Sequence, residues 1–218
     1  METKISIYFD VVCPWCYIGK KKLEDAIGIR KQSHLEDSIQ VKWKTFQLDP
    51  DLPMEGEDRE LYLTRKFGSM DRVNTIIKKV EKIAKGEGLP FSSEQKGRQP
   101  NTFLLHALVR KAEEIGKDSD LVEIFFRNFF AEGKNLSDSQ VILDSLNQVG
   151  MGKEDLNFVK QNEGFRQEIR KEELDGRRSG VSDVPYYLFN EKYAVSGTQE
   201  SSLFLQLFDH LEKKAQIP

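Results

Sequence analysis

Cysteine is scarce in this chain of 218 residues, which contains only two, and histidine is nearly as rare, with three. Two cysteines cannot supply the framework of several disulfides that holds small secreted domains together. A structural zinc site needs four ligands, and His34, His106 and His210 stand alone, without a paired histidine or a second C-x-x-C motif. The sequence therefore predicts that no metal is bound.

An excess of charge of one sign is also missing, since the formal net charge is −3 with 32% charged residues. The basic runs 20–22 and 177–178 are short and lie beside acidic residues, which is typical of solvated helix faces. No apolar stretch approaches the roughly 20 residues of a membrane span. The first residues form a strand pattern rather than a basic and then apolar leader. We expect a cytoplasmic protein that binds neither nucleic acid nor membrane.

The two cysteines stand together in Cys13-Pro14-Trp15-Cys16. The apolar and polar alternation of residues 5–9 predicts a strand just before this motif, and a helix is predicted from Pro14 onward. Proline suits the first position of a helix because its missing N–H would have had no partner there. In a reducing compartment, a C-x-x-C pair between a strand and a helix favours dithiol and disulfide chemistry.

The position of Cys13 at the predicted N-cap gives the two thiols different roles. The unpaired N–H groups and the positive end of the helix dipole stabilise a thiolate there. We therefore expect Cys13 to be an exposed nucleophile, and Cys16, one turn later and directed back toward the strand, to be the resolving thiol. The alternatives are a zinc knuckle or two inert core cysteines.

The remaining elements fall into three blocks. Residues 1–50 predict a strand, a helix over 14–31 and a second strand over 39–46, which form a βαβ unit with parallel strands. Pro50 and Pro53 then interrupt the chain. The last block contains a hairpin of 186–189 and 193–195, in which Asn190 can take a left-handed conformation, followed by a helix over 199–214.

The middle block contains no convincing strand and predicts successive amphipathic helices. Their expected ranges are 58–67, 71–85, 101–115, 119–131, 138–149, 153–161 and 165–178. An aromatic stripe at helical spacing, Val122, Phe125, Phe126 and Phe129, indicates core packing in a helical bundle rather than a cofactor pocket. The long loop-like stretch 86–100 is a candidate for the border of the active site.

This order of elements resembles the DsbA-like branch of the thioredoxin superfamily, and two segments are more specific. Residues 9–19, which contain the C-P-W-C motif, and residues 189–197 resemble the FrnE-type oxidoreductases. That group is related to 2-hydroxychromene-2-carboxylate isomerases and kappa-class glutathione transferases. Asn101-Thr102, His106 and residues 129–133 resemble the helical insertion of the same family, so the likeness spans nearly the whole chain.

The resemblance implies an α/β fold in which a thioredoxin-like domain, residues 1–50 and 179–218, is interrupted by an α-helical insertion domain, residues 51–178. It implies Cys13 as nucleophile and Cys16 as resolving thiol. It also implies a cis peptide bond at Val184-Pro185 that faces the cysteines and leaves the backbone of Val184 free to pair with an extended substrate. Pro14, Trp15, Val184 and Pro185 are the expected substrate-binding residues.

Two positions depart from the related families. Thioredoxins place a buried acid six residues before the first cysteine, and this chain has Ile7 there, so Asp10 is the acid available to act in its place. The position before Val184-Pro185 is often glycine in the subfamily, and here it is Asp183. A carboxylate near the thiols would disfavour the Cys13 thiolate and make the dithiol less oxidising. A solvated loop acid that points away is the alternative for Asp183.

These features predict a thiol:disulfide oxidoreductase that cycles between the Cys13–Cys16 disulfide and the dithiol. It needs no cofactor beyond the cysteine pair and a possible low-molecular-weight thiol. Its partners would be protein or small-molecule thiols and disulfides, and it would be a monomer or a homodimer. Two alternatives remain open: a thiol-dependent isomerase or transferase of the 2-hydroxychromene-2-carboxylate isomerase type, and a redox-sensing or chaperone-like binding module.

Overall fold

The structure is a computed structural model that describes residues 2–92 and 97–215, so part of the predicted loop 86–100 lies outside the described residues. The elements are, in chain order, β1 (Glu2–Phe9), α1 (Pro14–Ser33), β2 (Ser38–Thr45), β3 (Glu57–Asp58), α2 (Arg59–Phe67), α3 (Met70–Gly86), β4 (Arg98–Gln99), α4 (Phe103–Ala112), a 3-10 turn (Glu113–Ile115), α5 (Asp118–Phe126), a π-helical turn (Arg127–Ala131), α6 (Ser139–Asn147), α7 (Lys153–Gln161), α8 (Glu163–Arg178), β5 (Tyr186–Phe189), β6 (Tyr193–Ser196) and α9 (Ser201–Ala215).

The central sheet has four strands in the order β2-β1-β5-β6. β1 and β2 are parallel, as a βαβ unit requires, and β5 pairs antiparallel with both β1 and β6. Asn190 and Glu191 form the turn between β5 and β6 with φ angles of 49° and 57°. This confirms the predicted hairpin and the left-handed conformation of Asn190.

Helices cover both faces of the sheet. On one face, Phe204 and Phe208 of α9 pack against β5, where the Phe208 ring lies 5.9 Å from that of Phe189. On the other face, Tyr8 of β1 meets Gly176 of α8. The alternation of β1 places Ile5, Ile7 and Phe9 in the core, as a strand with a period of two does.

The helices of the middle block are close to their predicted ranges, with four differences. The expectation of no strand was wrong, because β3 and β4 pair antiparallel over two residues each. The helix predicted over 101–115 is α4 followed by a 3-10 turn, and the helix predicted over 119–131 is α5 followed by the π-helical turn. α8 begins two residues earlier than expected because the Asn162 side chain accepts a hydrogen bond from the N–H of Phe165 and caps the helix. No helix in residues 2–92 and 97–215 is both long and apolar enough to cross a membrane.

The aromatic stripe lies in the core, as predicted. Val122, Phe125, Phe126 and Phe129 are buried, and the Phe126 ring stacks on Tyr17 of α1 at 5.0 Å. Buried residues of the helical block and of the sheet region form one continuous hydrophobic cluster. The architecture is therefore an α/β thioredoxin-like fold with a helical insertion. The division into residues 1–50 with 179–218 and residues 51–178 stays a prediction.

Candidate active site

Helix α1 starts at the cysteine motif, as the sequence predicts. Cys13 is the N-cap in an extended conformation, and Pro14 occupies the first turn. The carbonyl oxygen of Cys13 accepts hydrogen bonds from the backbone N–H groups of Cys16, at 3.0 Å, and Tyr17, at 3.3 Å. The N–H of Cys13 is bonded to the carbonyl of Asp10 at 3.0 Å. Both backbone groups of Cys13 are therefore fixed, and both cysteines are free thiols.

Cys13 is not exposed, and this corrects the expectation from the sequence. Its relative exposure is 3%, because the segment that contains the cis peptide bond Val184-Pro185 covers it. The Cys13 thiol donates a hydrogen bond to the carbonyl oxygen of Val184 with a sulfur–oxygen distance of 3.5 Å. The structure thus contains the cis bond that the family resemblance implies, and it places that bond against the first cysteine.

Cys16 lies deeper, with 1% exposure. Burial raises the pKa of the Cys16 thiol well above its ordinary value, and the hydrogen bond and charge of Cys13 raise it further. The negative charge of Asp10 raises the Cys16 pKa as well, while a backbone hydrogen bond from Asp10 lowers it. Cys16 is thus held as a neutral thiol behind Cys13.

Asp10 lies in the core beside His106, and both are at most 2% exposed. The distance from Asp10 Oδ1 to His106 Nε2 is 3.5 Å, and Asp10 Oδ2 accepts a hydrogen bond from the N–H of Leu48 at 2.7 Å. Neither ring nitrogen of His106 makes a hydrogen bond within the described part of the chain. The sequence-predicted tuning acid therefore lies near the thiols, and its charge acts on Cys16.

Tyr187 is a site residue that the sequence analysis did not identify. Its hydroxyl is buried and has no hydrogen-bond partner among residues 2–92 and 97–215. Burial raises the Tyr187 pKa well above its usual range, and the charges of Cys16 and Cys13 raise it further. The register places Tyr187 directly opposite Ile7, the position at which thioredoxins carry a buried acid.

A cavity of about 290 Å³ opens beside Cys13. Most of its lining is apolar and comes from α1, α2, α3 and the segment before β5. The lining residues are Val12, Cys13, Pro14, Trp15, Leu48, Arg59, Tyr62, Leu63, Lys66, Phe67, Val73, Ile76, Ile77, Val80, Phe91, Gln99, Phe130, Asp183 and Val184. Phe91 and Gln99 belong to the stretch 86–100, so part of that stretch borders the site as predicted.

The cavity contains three of the four expected substrate-binding residues. Pro14 and Trp15 are half-buried and Val184 is buried, whereas Pro185 is also buried but is absent from the lining. Asp183 is exposed and does line the cavity, so it does not simply point away into solvent. Its influence on the thiols stays a prediction.

Arg59 and Lys66 add two cationic groups to the cavity wall. The Arg59 guanidinium lies 4.3 Å from the Phe129 ring centroid and donates to Gln99 Oε1 at 2.6 Å. Burial lowers the pKa of Arg59 to about 10, so it remains protonated at neutral pH. Lys66 Nζ lies 2.9 Å from the hydroxyl of Tyr62. No sequence motif marked these residues, because they approach Cys13 only through the packing of α2.

Residues 4–209 match the family model of the DSBA-like thioredoxin domain. The chain belongs to the DSBA-like thioredoxin family. This confirms the superfamily and the fold that the sequence resemblance implies.

Three solved structures place this DSBA-like chain among its neighbours. A probable DsbA oxidoreductase from Streptomyces coelicolor has a TM-score of 0.84 and 26% identity, over 94% of this chain and 88% of that one. The cytosolic disulfide reductase DsbM from Pseudomonas aeruginosa, in a structure with GSH, has a TM-score of 0.64 and 16% identity, over 98% and 100% of the two chains. A 2-hydroxychromene-2-carboxylate isomerase has a TM-score of 0.64 and 10% identity, over 98% and 96%.

Proposed function

We propose that this DSBA-like protein is a thiol:disulfide oxidoreductase that cycles Cys13 and Cys16 between dithiol and disulfide. The observation that carries the proposal is the asymmetry of the two thiols. Cys13 caps α1 and lines the cavity, whereas Cys16 is buried behind it with a raised pKa. Such a pair suits two consecutive steps, attack by the sulfur that borders the cavity and release by the one buried behind it.

In the reducing direction, the Cys13 thiolate attacks one sulfur of a substrate disulfide. A Cys13–substrate bond forms, the substrate disulfide breaks, and the first substrate thiolate leaves with the bonding electron pair. Cys16 then loses its proton, and its sulfur attacks Cys13. The Cys13–Cys16 bond forms, the second substrate thiolate leaves, and the substrate has gained two electrons. A low-molecular-weight thiol or another protein dithiol would return the pair to its reduced form.

The backbone of Val184 and the cavity are the proposed substrate-binding features. A substrate sulfur that approaches Cys13 would displace the hydrogen bond from the Cys13 thiol to the Val184 carbonyl, which then becomes free to pair with a peptide N–H. Pro14 and Trp15 would form the wall next to the reacting sulfurs. The largely apolar lining, with Arg59 and Lys66, suits a substrate that has both apolar and anionic groups.

We propose that the protein acts in the cytoplasm, where it is expected to reduce disulfides rather than to form them. The DsbM neighbour supports this choice, because it is described as a cytosolic disulfide reductase. Asp10 and Asp183 are the proposed tuning acids. Asp183 would disfavour the Cys13 thiolate through its charge at the cavity wall, whereas Asp10 would act on the buried Cys16.

One observation favours a second candidate. A cavity of about 290 Å³ that is lined by Cys13 and not by Cys16 is small for a folded protein partner and suits a bound small molecule. The second candidate is a thiol-dependent isomerase or transferase, similar to the 2-hydroxychromene-2-carboxylate isomerase. Such an enzyme has no need of a resolving thiol, whereas this chain keeps Cys16 in position behind Cys13.

The test compares steady-state turnover of the wild type and Cys16→Ser in a coupled assay, with a disulfide-containing protein as substrate and a protein dithiol as reductant. We expect Cys16→Ser to lose nearly all turnover on protein disulfides, because it cannot release the second substrate thiol. Turnover that survives the loss of Cys16 would favour the isomerase or transferase. Tight binding of unfolded protein with no turnover by the wild type would favour a binding module.

A further inference from the structure

The hydroxyl of Tyr187, which has no hydrogen-bond partner in the described part of the chain, points to a role in the second half of the cycle. Buried polar groups in native proteins are usually hydrogen-bonded, so an exception asks for an explanation. We propose that Tyr187 donates a hydrogen bond to the Cys16 thiolate when that thiolate forms, and thereby accelerates the release of substrate from Cys13. The inference rests on the dithiol cycle proposed above and concerns its resolving step.

The position of Tyr187 follows from the sheet and from α1. β5 is registered so that Tyr187 faces the same side as Ile7, toward the core. A Cβ atom placed on Gly19 would overlap the Tyr187 hydroxyl, and it would lie 3.2 Å from Cγ of Pro185. Gly19 follows Cys16 by three residues, and residues three apart share one face of a helix. The hydroxyl therefore lies against the face of α1 that carries the resolving cysteine.

The chemistry of the two groups explains why the hydroxyl of Tyr187 would bind the Cys16 thiolate rather than the neutral thiol. A thiol sulfur is a weak acceptor, whereas a thiolate accepts a charge-assisted hydrogen bond. The hydroxyl hydrogen can rotate about the C–O bond to meet the new charge. Because burial and the charges of the two thiols raise the pKa of Tyr187, the hydroxyl remains a donor while Cys16 ionises.

The other ionisable groups around Cys16 do not stabilise its thiolate. Burial disfavours its thiolate, and so do the charges of Cys13 and Asp10. In the mixed disulfide, Cys13 is covalently bonded and carries no charge, so Asp10 is the remaining acidic neighbour among these causes. A donor hydroxyl offsets part of that penalty without itself losing a proton.

The resolving step exchanges one disulfide bond for another. Cys16 gives its proton to a solvent base, and its sulfur attacks the Cys13 sulfur of the mixed disulfide. The Cys13–Cys16 bond forms, the Cys13–substrate bond breaks, and the substrate sulfur leaves as a thiolate with the bonding electrons. Tyr187 keeps its proton throughout and lowers the energy of the attacking thiolate.

The test uses Tyr187→Phe, which removes only the hydroxyl, and Tyr186→Phe as the matched control. Tyr186 is the adjacent residue on β5, and its ring packs against Tyr8 at 6.1 Å on the opposite face of the sheet. The reduced proteins are mixed with an aromatic disulfide that releases a coloured thiolate. The first release reports attack by Cys13, and the second reports resolution by Cys16.

We expect Tyr187→Phe to leave the first release unchanged and to slow the second by roughly 3- to 10-fold. A hydrogen bond to a charged group changes the thiolate population by roughly 10- to 100-fold. About half of this effect on a logarithmic scale is offset, because a less stabilised thiolate is a better nucleophile. Tyr186→Phe should match the wild type in both releases. In a Cys13→Ser background, Tyr187→Phe should shift the titration of the Cys16 thiolate to higher pH, followed by ultraviolet absorbance.

Two outcomes would overturn the inference. One is a second release that is equally fast in Tyr187→Phe and wild type. The other is an equal slowing of both releases, which would assign Tyr187 a packing role only. Failure of the dithiol cycle itself would look different, because the wild type would then show no second release and would behave like Cys16→Ser.

Discussion

Gly19 and Tyr187 are packed so closely that the hydroxyl of the tyrosine occupies the space of a Cβ atom on the glycine. Glycine within a helix costs about 1 kcal/mol relative to alanine, and Gly19 lies well inside α1. The absence of a side chain at position 19 therefore allows β5 and α1 to approach each other beside the thiols.

The close contact between Gly19 and the Tyr187 hydroxyl predicts how Gly19→Ala changes the free energy of unfolding. Overpacking typically costs about 1–3 kcal/mol, and the gain in helix propensity offsets about 1 kcal/mol of it. We expect Gly19→Ala to lower the free energy of unfolding by up to about 2 kcal/mol in the wild-type background. In the Tyr187→Phe background, we expect Gly19→Ala to lower it by less, or to raise it. Denaturant unfolding of the four proteins measures this coupling. The same effect of Gly19→Ala in both backgrounds would show that the hydroxyl is not the obstacle.

The charge of Asp10 raises the Cys16 pKa, so Asp10→Asn should lower it. The amide oxygen of asparagine can still accept the hydrogen bond from the N–H of Leu48, so the change mainly removes the charge. In a Cys13→Ser background, we expect the Cys16 thiolate to form at lower pH. Asp183→Asn is the matched control, because its carboxylate is exposed at the cavity wall. An unmoved titration in Asp10→Asn, or an equal shift in both variants, would contradict this electrostatic role.

The raised pKa of Cys16 also sets the pH dependence of resolution. A free thiol ionises near pH 8.5, and Cys16 ionises above its ordinary range because it is buried. Below the folded-state pKa, the thiolate fraction rises about tenfold per pH unit. We therefore expect the second release to accelerate by about that factor through neutral and mildly alkaline pH. A rate that levels off below about pH 8.5 would contradict a buried, neutral Cys16.

Local patterns predicted most of the fold. The alternation in residues 39–46 and the apolar spacing of Val122, Phe125, Phe126 and Phe129 depend on periods that a sequence displays directly. β3 and β4 have two residues each, which is too short for any period to appear. The start of α8 depended on one capping side chain, Asn162, and helix ends are set by such details.

The candidate site was predictable only in part, because its remaining features depend on contacts between distant segments. The sequence identified Cys13 and Cys16 by their spacing, but the burial of Cys13 depends on Val184, which lies 171 residues away. Tyr187 reaches the site only through its register with Ile7 on β1. The sequence did contain a signal for a role of Tyr187 at the site, because its polar hydroxyl is carried at a position of a predicted strand that faces the core.

The direct test of the dithiol cycle is a trapping experiment with Cys16→Ser and Cys13→Ser, analysed by non-reducing electrophoresis after incubation with disulfide-containing proteins. Cys16→Ser should accumulate high-mass adducts through Cys13 that collapse on addition of dithiothreitol, because no neighbouring thiol displaces the substrate. Cys13→Ser should form none, and the wild type should form them only transiently. If Cys16→Ser turns over normally and traps nothing, or if both variants are equally inert, Cys13 and Cys16 are not a nucleophile and its resolving thiol.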